Sequence, residues 1–74
     1  MIEEKDLKEG KEFLILGYES ENNPVVQKLK SMGLKEGKRV RILMKNGRVY
    51  LLKVDNTRIV IDKNLFQLLK KEVH

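Results

Sequence analysis

The residues of this sequence that could do chemistry are scattered carboxylates, two serines, one histidine and a run of alternating cations. Acids gather at Glu3, Glu4 and Asp6, again at Glu19 and Glu21, and at Glu72 near His74. Carboxylate and imidazole are what hard and borderline cations take as ligands. None of these groups falls at ligand spacing on a rigid element, so they read as solvated acids and no metal ligand is assigned. His74 is the last residue, where a side chain frays more readily than it serves as ligand or base. Ser20 and Ser31 have no base partner in the sequence. Gly33 and Gly37 have glycine spacing without the Gly-Lys-Ser/Thr ending or the preceding strand of a phosphate loop. The sequence therefore predicts no catalytic residue and no cofactor, and it does not read as an enzyme.

The cations are more informative. Residues 1–24 hold seven acids and three lysines, a charge of −4, whereas residues 25–74 hold thirteen bases and four acids, a charge of +9. A basic body of this kind suits an acidic protein surface, nucleic acid or anionic lipid. Alternate strand residues share a face, so Arg39, Arg41, Arg48, Lys53 and Arg58 could line one side of a barrel. Small barrels bind single strands when such a face also carries stacking aromatics. Only Tyr18, Tyr50 and Phe66 could stack, with Phe13 assigned to the core, so nucleic acid is kept as the rival reading.

Seventy-four residues make one domain over residues 1–74. A chain of this size buries only about 60% of the surface exposed when unfolded and has no room for a deep cleft. Cysteine is absent, so neither disulfides nor thiolate metal sites contribute. The longest apolar run, Phe13 to Leu16, is far too short to span a membrane. The first ten residues carry no apolar signal region. A cytoplasmic protein without membrane insertion is expected.

The elements that must position these residues follow from periodicity. Leu7 anchors a lead-in that turns at Gly10, and Glu12 to Leu16 reads as a strand buried on both faces and closed by Gly17. Asn23 is placed to cap a helix with Pro24 in its first position, and Val25, Leu29 and Met32 mark its inner face. Gly33 stops the helix in the left-handed conformation, and Leu34 packs back on Leu29. Gly37 then turns the chain into a strand with Val40, Ile42 and Met44 inward and Arg39 and Arg41 outward. Asn46-Gly47 predicts a type I′ hairpin, with the return strand over Arg48–Val54. Asp55-Asn56 turns into a strand over Arg58–Ile61. Asp62 caps a helical turn over Asn64–Leu68, and a last strand can run through Val73. Several short strands with frequent turn signals favour a small barrel.

The run Lys28-Leu29-x-x-Met32-Gly33-Leu34-x-x-Gly37-x-x-Val40 resembles the core signature of the ferrous iron transport protein A family. Leu7-x-x-Gly10 resembles that family's opening turn, and Val54 followed by Arg58-Ile59-x-Ile61 its last hairpin. The resemblance covers roughly residues 5–73. The sequence departs at Leu65-Phe66-Gln67-Leu68-Leu69, which is bulkier than the family pattern, and at the short Lys45-Asn46-Gly47 tip.

The resemblance implies a mainly β fold: a small SH3-like β-barrel of about five strands with one inserted helix and a short C-terminal helical turn. It implies an accessory protein of ferrous-iron transport whose partner is the membrane transporter with its cytosolic GTP-binding domain. The same barrel occurs at the C-terminus of metal-dependent repressors, so a stand-alone relative of that domain is a further alternative; with no winged-helix domain ahead of the barrel in this sequence, the accessory protein is the expected match. On this reading Leu29, Met32, Gly33, Leu34, Gly37 and Val40 are structural, and Lys28, Arg41 and Arg48 are the candidate partner contacts. A weak homo-oligomer is left open.

Overall fold

The change from alternating to helical spacing, and back, marks the joints of the molecule. A computed structural model describes residues 7–73. Strand β1 (Glu12–Tyr18) is followed by helix α1 (Pro24–Ser31), strands β2 (Arg39–Lys45), β3 (Val49–Val54) and β4 (Thr57–Asp62), the short helix α2 (Lys63–Phe66) and strand β5 (Leu69–Val73). The strands form one antiparallel sheet in the order β4-β3-β2-β1-β5. The last strand is therefore real and pairs Leu69 with Tyr18 and Val73 with Phe13.

Helix α1 begins and ends as its sequence dictates. The Asn23 side chain accepts the Val25 N–H at 2.9 Å, and Pro24 needs no partner in the first turn. At the other end Gly33 sits at φ 109. Its N–H donates to the Lys30 carbonyl and the Leu34 N–H to the Leu29 carbonyl, the paired bonds of a glycine-stopped helix. Its inner face differs from the expected one. Val26 and Leu29 are buried, whereas Val25 and Met32 are each 40% exposed. The helix has only eight residues, and Met32 already lies past its last turn. The reversal at Gly33 hands the inward place to Leu34, which is fully buried.

Two β-bulges account for the other departures. Strand β1 continues beyond Gly17, and its pairing with β5 shifts between Ile15 and Gly17. Leu16 is the extra residue and is 49% exposed, so the strand is not buried on both faces. In β2 the pairing with β3 shifts between Ile42 and Met44. Leu43 is the extra residue there, and Met44 turns outward instead of inward. A period of two survives only until a bulge inserts a residue.

The hairpin after β2 is not type I′. Neither Asn46 nor Gly47 takes a positive φ. Instead the Asn46 side chain accepts the N–H groups of Arg48 and Val49, both at 2.9 Å, and β3 starts one residue later than expected. The side chain does the work of a backbone turn. The positive φ falls in the next hairpin, at Asp55.

Helix α2 carries the chain from one edge of the sheet, β4, to the other, β5. Asp62 caps it through the Asn64 N–H, and it ends at Phe66, short of the expected Leu68. A helical turn advances only about 1.5 Å per residue, so this short link draws the two edges together. Phe66 plugs the interior, with its ring centroid 5.6 Å from that of Phe13 on β1 and 4.3 Å from that of Tyr50 on β3. Tyr18, Tyr50, Phe13 and Phe66 are all buried, so the expected stacking residues Tyr18, Tyr50 and Phe66 are core residues. Among the described residues no helix is long and apolar enough to cross a membrane.

Candidate functional site

Among the described residues, shallow depressions lie on the outside of the curled sheet, on its strand face, beside α1 and at a hairpin tip. One, about 460 Å³, is lined by Glu12, Arg39, Arg41, Leu43, Lys53 and Asp55. Strand register builds it. Glu12 pairs with Arg41, Arg41 with Lys53, and Lys53 with Arg58, so one carboxylate and three cations form a row across four strands. Arg41 reaches Glu12 at 3.4 Å, and Lys38 reaches Asp55 at 3.0 Å. No carboxylate among the described residues pairs with Arg39, Lys53 or Arg58.

Apolar residues border this row. Leu51 pairs with both Met44 and Val60 on its neighbouring strands. Met44 is 54% and Val60 62% exposed, and Leu43 and Leu51 are half-buried. A second depression, about 290 Å³, lies between α1 and β4 and is lined by Val25, Lys28, Met32, Val60 and Asp62 over Leu29, Ile61 and Leu65. A third, about 230 Å³, lies at the hairpin tip among Gly47, Arg48, Asp62, Lys63 and Asn64.

The expected partner contacts are therefore not one patch. Arg41 belongs to the basic row, Lys28 to the groove beside α1 and Arg48 to the hairpin tip. The last two depressions adjoin through Asp62, and neither shares a lining residue with the first. Of the expected structural residues, Leu29, Leu34 and Val40 are core, Gly33 and Gly37 hold positive φ, and Met32 is at the surface. The outward places of Val60 and Met44 were not foreseen. Val60 was legible from the alternation with Ile59 and Ile61. Met44 was not, because the bulge at Leu43 leaves no mark in the sequence.

The acids expected to be solvated are partly used. The Glu21 carboxylate accepts from Lys30 and from the Tyr18 N–H. The Lys30 hydrogen bond, chiefly, holds its carboxyl below the usual range. Burial, helped by the Glu21 charge, pushes the Tyr18 hydroxyl up to about 12. Among the described residues no three of His, Cys, Asp or Glu stand together as metal ligands would. Glu3, Glu4, Asp6 and His74 lie outside the described residues. The outer surface thus offers charge and apolar area for recognition.

A family model described as the FeoA domain matches residues 5–70. A search of curated proteins finds no match. Among solved structures, the solution structure of iron(II) transport protein A from Clostridium thermocellum superposes with a TM-score of 0.86 at 24% identity. The match covers 97% of this chain and 45% of that one, so this chain spans less than half the length of the protein it resembles. The shared fold is the mainly β, SH3-like barrel with an inserted helix that the family resemblance implies.

Proposed function

The chain belongs to the FeoA domain family, and from that premise we propose that it is a small accessory protein of ferrous-iron transport that works by binding rather than by catalysis. The observation that carries this reading is the family match over residues 5–70. The outer surface supports it: its depressions are open and shallow, and they present cations and apolar side chains in rows. Such an open surface suits recognition of a partner better than enclosure of a substrate, which needs a pocket that buries most of the ligand.

The proposed partner is the cytosolic GTP-binding region of a membrane ferrous-iron transporter, which puts this protein in the cytoplasm. A rigid barrel can change a transporter only by binding one of its conformations better than another. Docking would then shift the conformational equilibrium or the GTP hydrolysis cycle. The competing nucleic-acid reading lacks its stacking platform, since all four aromatic rings are inside.

The test is isothermal titration of the full chain into the soluble GTP-binding region of the transporter, with GTP hydrolysis measured alongside. Association on the order of tens of micromolar or tighter, with a change in hydrolysis rate, is expected. No heat and no change in hydrolysis at those concentrations overturns the proposal.

A further inference from the structure

Three cations stand side by side on the outer face of the sheet. Arg41 is the direct cross-strand partner of Lys53, and Lys53 of Arg58. Directly opposed side chains have Cβ atoms about 5 Å apart, and like charges so placed weaken a sheet. Glu12 offsets one end of the row, at 3.4 Å from Arg41. Lys53 and Arg58 find no carboxylate among the described residues. The next outward positions along the same three strands are apolar. Met44 and Val60 are more than half exposed there, on either side of Leu51. A cationic stripe and an apolar stripe therefore run in parallel across β2, β3 and β4.

We propose that this double stripe is the docking surface for an acidic amphipathic helix of a partner protein. The helix would set carboxylates on Arg41, Lys53 and Arg58 and apolar residues on Met44, Leu51 and Val60. Spacing favours a helix: side chains at i and i+4 lie about 5–6 Å apart, close to the spacing of neighbouring strands. In an extended segment, side chains on one face are about 6.6 Å apart, and they drift out of step with the row. Charge complementarity selects an acidic partner. A flat anionic membrane fits less well, because Glu12 and Asp55 line the same cleft as Arg41 and Lys53. This surface is distinct from the groove beside α1 that holds Lys28. As a statement about the transporter it rests on the reading above; as a statement about chemistry it stands alone.

The experiment is an NMR titration of the isotopically labelled full chain with a synthetic helical peptide bearing Glu along one face and Leu along the next. A scrambled peptide of the same composition is the control. Shifts centred on Arg41, Lys53, Arg58, Met44 and Val60 are expected, with the scrambled peptide roughly tenfold weaker. The double variant Lys53→Glu/Arg58→Glu should lose roughly tenfold or more in affinity. Lys35→Glu/Lys70→Glu, an equal change in charge at two exposed lysines outside the stripes, should stay within about threefold. Equal losses in the two variants would mean net charge alone and would overturn the proposal, as would shifts centred on α1. Binding to phosphatidylserine vesicles or a single-stranded oligonucleotide through these residues, with none to the peptide, would overturn it too. The transporter's GTP-binding region separates the two readings. Binding there that Lys53→Glu/Arg58→Glu leaves intact removes the surface and keeps the function. Binding of the peptide but not of that region keeps the surface and removes the function.

Discussion

The Tyr18 hydroxyl donates to the Leu34 carbonyl at 2.6 Å, both groups being buried. This bond ties the end of β1 to the residue that follows the glycine stop of α1, so the helix is fastened to the sheet at its exit. Tyr18→Phe leaves that carbonyl without its donor in a dry site, and a cost of about 1–3 kcal/mol is expected. Urea denaturation near neutral pH measures it. The buried hydroxyl also sets an alkaline limit. Burial, helped by the Glu21 charge, raises it from 10 to about 12, so the folded state holds the proton more tightly than the unfolded one. Its contribution is complete below pH 10 and is lost as pH rises through about 12. Tyr18→Phe should flatten that limb of the stability profile, and an unchanged alkaline profile would contradict the assignment.

Glu21 sets the opposite limb. Its carboxylate accepts from Lys30 on α1 and from the Tyr18 N–H on β1, and its pKa is lowered, first by the Lys30 hydrogen bond. A lowered folded value means stability present above the unfolded value and lost as pH falls through the folded one. Glu21→Gln should therefore cost stability near neutral pH and reduce its loss on acidification. Thermal melts of both proteins between about pH 7 and pH 3 test this. Parallel acid profiles would show that the pair contributes nothing.

The inner face of α1 makes a sharper contrast. Leu29 is buried and Met32 is 40% exposed, although helical spacing puts both on one side. Leu29→Ala should cost roughly 2–5 kcal/mol, whereas Met32→Ala should stay within about 0.5–1 kcal/mol. Chemical denaturation of the two variants settles the order. Equal losses would restore Met32 to the core.

What could be read from the sequence was what one local cause decides. Asn23-Pro24 and Gly33-Leu34 place the ends of α1 because capping and a left-handed stop are properties of those residues alone. Val40 and Ile42 face inward by simple alternation, as expected. The failures lie where pairing with another strand decides. Leu16 and Met44 point outward because β1 and β2 each gain a residue relative to a partner, and the chain shows no sign of that until the partner is known. Asn46-Gly47 failed for a different reason: the Asn46 side chain offered its own turn, which competed with the backbone one. The candidate surface was half legible. Arg39, Arg41, Arg48, Lys53 and Arg58 were expected on one face; Arg48 instead sits at the hairpin tip, and the cross-strand order of Arg41, Lys53 and Arg58, with the apolar row beside them, comes only from register.

That register makes the last prediction one of opposite signs. If Lys53 and Arg58 served the fold, reversing one charge would weaken it. Their side chains are instead opposed like charges, so Arg58→Glu turns a repulsive cross-strand pair into an attractive one. A gain of roughly 0.2–1 kcal/mol is expected, smaller at high salt because the site is exposed. Affinity for the acidic helical peptide should fall in the same variant. Guanidinium is unsuitable for the first measurement because it screens charge; urea at low and high salt gives the gain and its salt dependence. A variant both more stable and unable to bind would show that the row is kept against the interest of stability, as binding surfaces are. A variant that loses stability would mean that Arg58 has a structural partner, and the row would then be scaffold.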